Sequence, residues 1–132
     1  MNNPNNPCLF CDTKKSGFSH ENELAYISYD TYPVSKYHCL IIPKRHVVDC
    51  FELTDNEIIA CYELIKKVKK EIINKDDTIK GFNLGTNIGK VSGQSIFHCH
   101  YHLIPRRKGD VKNPQGGVRS VIPAKQHYKR KI

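Results

Sequence analysis

The chain has 132 residues, of which 39% are hydrophobic and 26% charged, so it fits one folded domain with a single core. This excludes both a two-core protein and a charge-dominated disordered chain. No apolar run approaches the ~20 residues that span a bilayer, and the start MNNPNNPCLF lacks the basic flank and apolar stretch of a secretory signal. A cytoplasmic protein with no membrane partner is expected, its six cysteines reduced rather than paired as disulfides. The net charge of +8 is unevenly placed: residues 1–105 hold twelve basic and twelve acidic side chains, whereas residues 106–132 hold nine basic ones against Asp110 alone. Such a run is either a solubilising tail or a device that attracts a polyanion.

Residues 1–7 are rich in Asn and Pro and are expected to lack order. Leu24–Tyr29 and 38–42 read as β-strands joined by the turn DTYPVSKY, a hairpin closed by Pro43. Thr54 and Glu57 have the spacing of a capping box, with Leu53 and Ile58 at the staple positions on either side. Ile58, Cys61, Ile65, Val68 and Ile72 then recur in steps of three and four, predicting an amphipathic helix, while Lys66, Lys67, Lys69 and Lys70 lie largely off that stripe. Residues 82–86 read as a strand, 87–94 as a Gly-rich loop and 95–104 as a last strand. Strands, one helix and strands again give an α+β class without a βαβ repeat. Tyr26, Phe51 and Phe82 are expected in the core, as are the solitary Cys39, Cys50, Cys61 and Cys99.

His98, His100 and His102 alternate within the last predicted strand. Side chains two apart share a face, so the outer imidazoles would start roughly 13 Å apart in a regular strand. One zinc ion, with bonds of about 2.0–2.1 Å to nitrogen, could not take all three. The row instead suits several tasks along an extended substrate. A neutral imidazole can attack phosphorus and a second one can donate a proton, with Gly89, Gly93, Gln94 and Ser95 supplying backbone and short donors beside them. No Walker A, GxGxxG or HExxH pattern is present.

The run His98-Cys99-His100-Tyr101-His102-Leu103-Ile104 resembles the signature of the histidine triad (HIT) family of nucleotide hydrolases and transferases. DTYPVSKYHCLIIPKRH resembles that family's first hairpin, and the C-terminal GGVRSVIPAKQHY resembles bacterial members related to diadenosine tetraphosphate hydrolases. The resemblance implies a single domain over residues 1–132 with a basic segment from 107 onward. It also implies a five-stranded antiparallel sheet with one long helix, dimerising into a continuous sheet. It implies His100 as nucleophile on the α-phosphate, His102 on phosphate and leaving group, and His38 in the same pocket. Asp30 would hold the ribose hydroxyls, and Asn87, Gln94 and Ser95 would surround the phosphates. The substrate would be a dinucleoside polyphosphate or another nucleotide conjugate; a nucleic-acid partner is not expected. Transfer to phosphate, or nucleotide binding without turnover, are the alternatives. Tyr37 departs from the pattern, standing where the family has glycine.

Cys8 and Cys11 form a C-x2-C pair, half of a tetrahedral zinc site by spacing. A thioredoxin-like motif would need a βαβ context that the chain lacks. The resemblance completes the set with His46 and His98 and implies a structural zinc; the alternative is a metal-free pair. From charge placement alone, the basic tail is expected to close over a phosphate site.

Overall fold

A five-stranded antiparallel sheet carries one long helix on one face, and the rest of the chain follows from which face each strand residue takes. The computed structural model describes residues 8–12 and 18–131; the expectation for residues 1–7 lies outside them. The strands are β1 (Phe18–Glu21), β2 (Ala25–Tyr29), β3 (Cys39–Pro43), β4 (Ile79–Gly85) and β5 (Tyr101–Arg107), and helix α1 spans Asp55–Lys75. Their order across the sheet is β1-β2-β3-β5-β4, so β5 enters between the hairpin and β4. Among the described residues no helix is long and apolar enough to cross a membrane.

Alternation sorts the two faces. Ala25 and Ile27 of β2, Cys39 and Ile41 of β3, and Leu103 of β5 bury against Ala60, Cys61, Leu64, Ile65, Val68 and Ile72 of α1. Tyr26, Leu40 and Ile42 point the other way and form a smaller cluster with Phe10. His38, Asp30 and His102 share the parity of that second face. In register, Leu40 and Gly85 flank His102 across the sheet. The helix-free face is therefore where the polar residues converge.

The capping box is present: Thr54 Oγ1 accepts from the Glu57 N–H at 3.2 Å, and Glu57 Oε1 accepts from the Thr54 N–H at 2.8 Å. Glu57 also receives two bonds from Arg45, at 2.8 and 3.0 Å, which is why a carboxylate can sit 4% exposed. The Arg45 guanidinium holds that carboxyl down at about 2. The pair ties the segment after β3 to the start of α1. The staple fails at one end, since Ile58 is 44% exposed while Leu53 packs against Val47 and Cys99. The buried stripe is rotated toward Glu57, Ala60 and Leu64, which carries Ile58 past its edge. Lys66, Lys67, Lys69 and Lys70 are exposed as expected. Phe51, expected inside, is 80% exposed on a short 3-10 turn, and Cys50 is only half-buried.

Strand boundaries bring two corrections and one addition. β4 begins at Ile79, three residues before the predicted start. The predicted last strand over 95–104 is realised as β5 from Tyr101, with a bend over 96–98. The reason lies in the backbone: Cys99 N–H donates to Val47 O at 2.7 Å, and His100 O accepts from the Thr86 hydroxyl at 2.7 Å. These long-range bonds replace a ladder, and the chain leaves the sheet there. β1, pairing with β2, was not predicted from the sequence.

Tyr37 has φ of 73°, and no other non-glycine residue among those described is positive. The family's glycine at this point therefore meets a left-handed turn, which costs a side-chain-bearing residue roughly 1–2 kcal/mol. Here the turn is held by His38 N–H donating to Ser35 O and Asp30 N–H donating to His38 O, both at 3.0 Å. The Tyr37 ring packs beside Tyr29 at 6.2 Å, which offsets part of that cost.

Candidate active site and metal centre

Cys8 precedes and Cys11 ends a single 3-10 turn, Leu9–Cys11, whose middle residue Phe10 is buried and whose Phe10 carbonyl accepts from the Tyr26 hydroxyl at 2.6 Å. That anchor brings both thiols to the end of β3. There Cys8 Sγ lies 3.3 Å from His98 Nδ1, Cys11 Sγ lies 3.2 Å from His46 Nδ1 and 3.5 Å from His98 Nδ1, and the two Nδ1 atoms are 3.2 Å apart. All four ligand atoms lie within 4.8 Å of one another. A tetrahedral ion with bonds of about 2.0–2.3 Å would hold such atoms roughly 3.3–3.8 Å apart, so the residues fit one zinc. The donor chemistry also fits. His98 Nε2–H donates to the Pro43 carbonyl at 2.7 Å, which leaves its Nδ1 lone pair pointing at the thiols. Burial pushes the His98 imidazole down to about 4, so it is neutral and able to ligate near neutral pH.

Two residues further on, His100 is 8% exposed. Its Nδ1–H donates to the His98 carbonyl at 2.8 Å, which leaves Nε2 with its lone pair unprotonated. The Phe10 ring stands edge-on to the His100 ring at 5.0 Å and 74°. One turn of chain thus packs the nucleophile candidate and supplies two of the metal donors.

His102 lies beside His100, ring centroids 5.3 Å apart. A chain of donors fixes the neighbouring tautomers: Val34 N–H donates to His38 Nδ1 at 3.0 Å, so the proton of His38 sits on Nε2 and donates to His102 Nδ1 at 2.9 Å. Nε2 of His102 then carries the remaining proton. Asp30 Oδ2 lies 3.4 Å from His38 Nε2 and 3.9 Å from His102 Nδ1, while its Oδ1 accepts from Tyr32 N–H at 2.8 Å. Burial lowers His38 despite Asp30, and burial with the neighbouring imidazoles lowers His102 to about 4. His38 and His102 thus form a neutral hydrogen-bonded pair.

His38, His102 and Asn87 line a cleft of about 670 Å³ whose far wall is built by residues 110–126. Gln94 is buried but its amide is occupied: Nε2 donates to Val48 O at 2.7 Å and Ile96 O at 3.2 Å, and Oε1 accepts from Gly89 N–H at 2.9 Å. It braces the loop. Ser95 is exposed on that loop and does not line the cleft. The structure thus joins Cys8, Cys11, His46 and His98 in one cluster and Asp30, His38 and His102 in a second, with the His100 ring beside His102 but outside the cleft lining, and puts Asn87 on the cleft wall. No motif pointed to Phe10 or Thr86, which act through contacts distant in the chain, or to the Val34 N–H, a backbone group that residue type does not reveal.

The HIT domain model matches residues 13–109, and the chain belongs to that family. It is 33% identical over 103 residues to the adenosine 5'-monophosphoramidase hnt1 of Schizosaccharomyces pombe, covering 75% of this chain and 74% of that one. Among solved structures it resembles a hypothetical histidine triad nucleotide-binding protein of Sulfolobus tokodaii, with a TM-score of 0.69, 36% identity and coverage of 78% and 71%. It also resembles a zinc-bound histidine triad family protein of Mycobacterium smegmatis, with a TM-score of 0.72, 27% identity and coverage of 81% and 80%.

Proposed function

We propose that the protein is a nucleotide hydrolase that cleaves dinucleoside polyphosphates or other nucleotide conjugates at the α-phosphate through a nucleotidyl-histidine intermediate. The observation that carries this reading is the His100 tautomer: a proton held on Nδ1 by the His98 carbonyl, and a bare Nε2 beside a proton relay. Nε2 attacks phosphorus, the P–N bond forms and the bond to the leaving group breaks. The leaving group takes the Nε2 proton of His102 from a His38–His102 pair that carries one extra proton from solvent, and the pair returns to the neutral arrangement seen in the structure. Water then attacks the phosphoramidate, gives one proton back to the relay, and releases the nucleoside monophosphate and His100. Asp30 holds the ribose, Asn87 on the cleft wall donates to phosphate oxygens, Ser95, exposed outside the cleft, is assigned to the phosphates by the resemblance alone, and Gln94 keeps their loop in place. The fission-yeast relative named as a monophosphoramidase supports the reaction class. Acid–base and positioning terms of this kind suffice for phosphoryl chemistry near neutral pH.

His100→Ala is expected to lower turnover of adenylyl phosphoramidates and diadenosine polyphosphates about 10³-fold or more, and rapid quenching of the wild type should trap protein-bound nucleotide. A variant as active as wild type sinks the proposal. Product analysis should give the monophosphate even with inorganic phosphate present; a nucleoside diphosphate would instead make phosphate the acceptor.

Cys8, Cys11, His46 and His98 are assigned to a structural zinc that pins the N-terminus to the end of β3 and to the catalytic segment. Elemental analysis should find one zinc per chain in wild type and none in the Cys8→Ser, Cys11→Ser form. The latter should melt roughly 10 °C lower, the effect of about 3 kcal/mol in a chain of this size. Purified wild type without stoichiometric zinc would end this assignment.

Homodimerisation is proposed from the resemblance, and two features support it. β4 is an outer strand of the sheet, and α1 exposes Ile58, Ile59, Tyr62 and Ile73. Light scattering at micromolar concentration should return twice the chain mass, and Ile59→Glu, Tyr62→Glu should return one; a monomeric wild type refutes it.

A further inference from the structure

After Asp110 the sequence has six basic residues and no acidic one, and the fold draws them together. Residues 112–115 run beside 126–128: His127 Nε2–H donates to Asn113 O at 3.0 Å, Gln126 Nε2 to Gln115 O at 3.3 Å, and Tyr128 N–H to Gln115 Oε1 at 3.3 Å. Arg119 closes the loop by donating to the carbonyls of Lys125 at 2.7 Å and Gln126 at 3.2 Å. Gly116, at φ of 90°, lets the Gln126 carbonyl pack where a side chain would stand. Lys112, Arg119, Lys125, Lys129, Arg130 and Lys131 therefore sit on or directly beside one folded loop rather than along a trailing tail.

The charge of this loop is left open. Arg106 and Arg107, just ahead of it, are taken by Asp110 and Asp76. Lys112, Lys125, Lys129 and Lys131 are exposed, and among the described residues none of them has an acidic partner. Tyr128 is flanked by two guanidinium groups, Arg119 at 4.7 Å and Arg130 at 5.4 Å from the ring centroid, and Arg130 Nη2 donates to the Tyr128 hydroxyl at 2.9 Å. The ring thus holds the plane of an exposed arginine in place before any ligand arrives. Like charges crowded together without carboxylates repel one another, and a bound polyanion relieves that repulsion. Lys125 and residues 127–131 lie off the cleft beside His102, so this charge is not turned toward the hydrolase site.

We infer that this loop is a docking surface for single-stranded nucleic acid, held through its phosphodiester backbone without sequence preference. The resemblance brings no such partner; the surface lies beyond residue 109, where the family match ends. Phosphates spaced along a flexible strand meet lysines on both limbs of the loop, and a base stacks on the guanidinium face that Arg130 turns away from Tyr128. A mononucleotide has too few phosphates to neutralise Lys112, Lys125, Lys129 and Lys131 together. An acidic peptide offers carboxylates but no planar base for the guanidinium. A lipid surface would need apolar side chains beside the charges, and Val111, Val118 and Val121 line the cleft instead.

The test is fluorescence anisotropy of a labelled oligouridylate of about 20 nucleotides, titrated with the full chain between about 50 and 200 mM salt. Wild type should bind in the micromolar range at the low end. The logarithm of the affinity should fall on that of salt with a slope of about −3, as expected for roughly four or five neutralised phosphates. Lys125→Glu, Lys129→Glu should weaken binding at least tenfold. Lys67→Glu, Lys70→Glu on α1, an equal change in net charge, should weaken it less than about threefold. All four side chains are exposed, so unchanged melting is expected and confirms folding. No binding by wild type at about 50 mM salt overturns the inference. Equal losses in the two variants overturn it as well, because net charge alone would then drive the contact. Polyglutamate that competes as well as unlabelled oligouridylate overturns the choice of nucleic acid, and duplex DNA bound more tightly overturns the choice of single strand. None of these outcomes touches the hydrolase reading.

Discussion

His98 is bonded in three directions, and the site is built around those bonds. Its Nε2–H is fixed on the Pro43 carbonyl at the end of β3, its Nδ1 faces Cys8, Cys11 and His46, and its own carbonyl takes the Nδ1–H of His100. A single buried residue therefore couples the end of the hairpin, the N-terminal turn and the tautomer of the neighbouring imidazole. A zinc ion held there would supply folding energy to a set of donors that otherwise present lone pairs to one another. The consequence for His100 is indirect: the His98 carbonyl holds its proton on Nδ1 and leaves Nε2 bare.

The division of labour among the three alternating histidines follows from where the sheet begins. Only His102 lies in β5, on the helix-free face with His38 and Asp30 nearby. His100 stands one residue before the strand, and His98 lies in the bend, turned under Pro43. One histidine thus belongs to the Cys8, Cys11 and His46 cluster, one keeps a bare Nε2, and one is hydrogen-bonded to His38. Phe10 links the first two, since its ring stands against both His98 and His100 while its carbonyl is held by Tyr26.

Local chemistry was legible in the sequence where local bonds decide it. The Thr54/Glu57 box marked the start of α1, and the hairpin strands fell within a residue of their expected bounds. The grouping of Cys8, Cys11, His46 and His98, a set that could hold a metal ion, was also readable, because cysteine spacing and the triad pattern survive as motifs. The last strand was misplaced because Cys99 N–H and His100 O bond to Val47 and Thr86, partners no period-2 pattern reveals. Ile58 was misassigned because the Arg45–Glu57 pair buries a charged residue on the helix flank and shifts the stripe. The basic run read as either a solubilising tail or an anion trap, yet the arginines Arg106, Arg107 and Arg119 bind acidic groups or carbonyls of their own chain. Only the folded loop shows that valines face the cleft.

The central claim is the proton position on His100. Long-range ¹⁵N–¹H correlation spectra of the imidazoles in the zinc-loaded protein at neutral pH read it directly. The account predicts that His100 carries its proton on Nδ1 with an unprotonated Nε2, and that His38 carries its own on Nε2. A His100 ring protonated on Nε2, or exchanging between both tautomers, would contradict it.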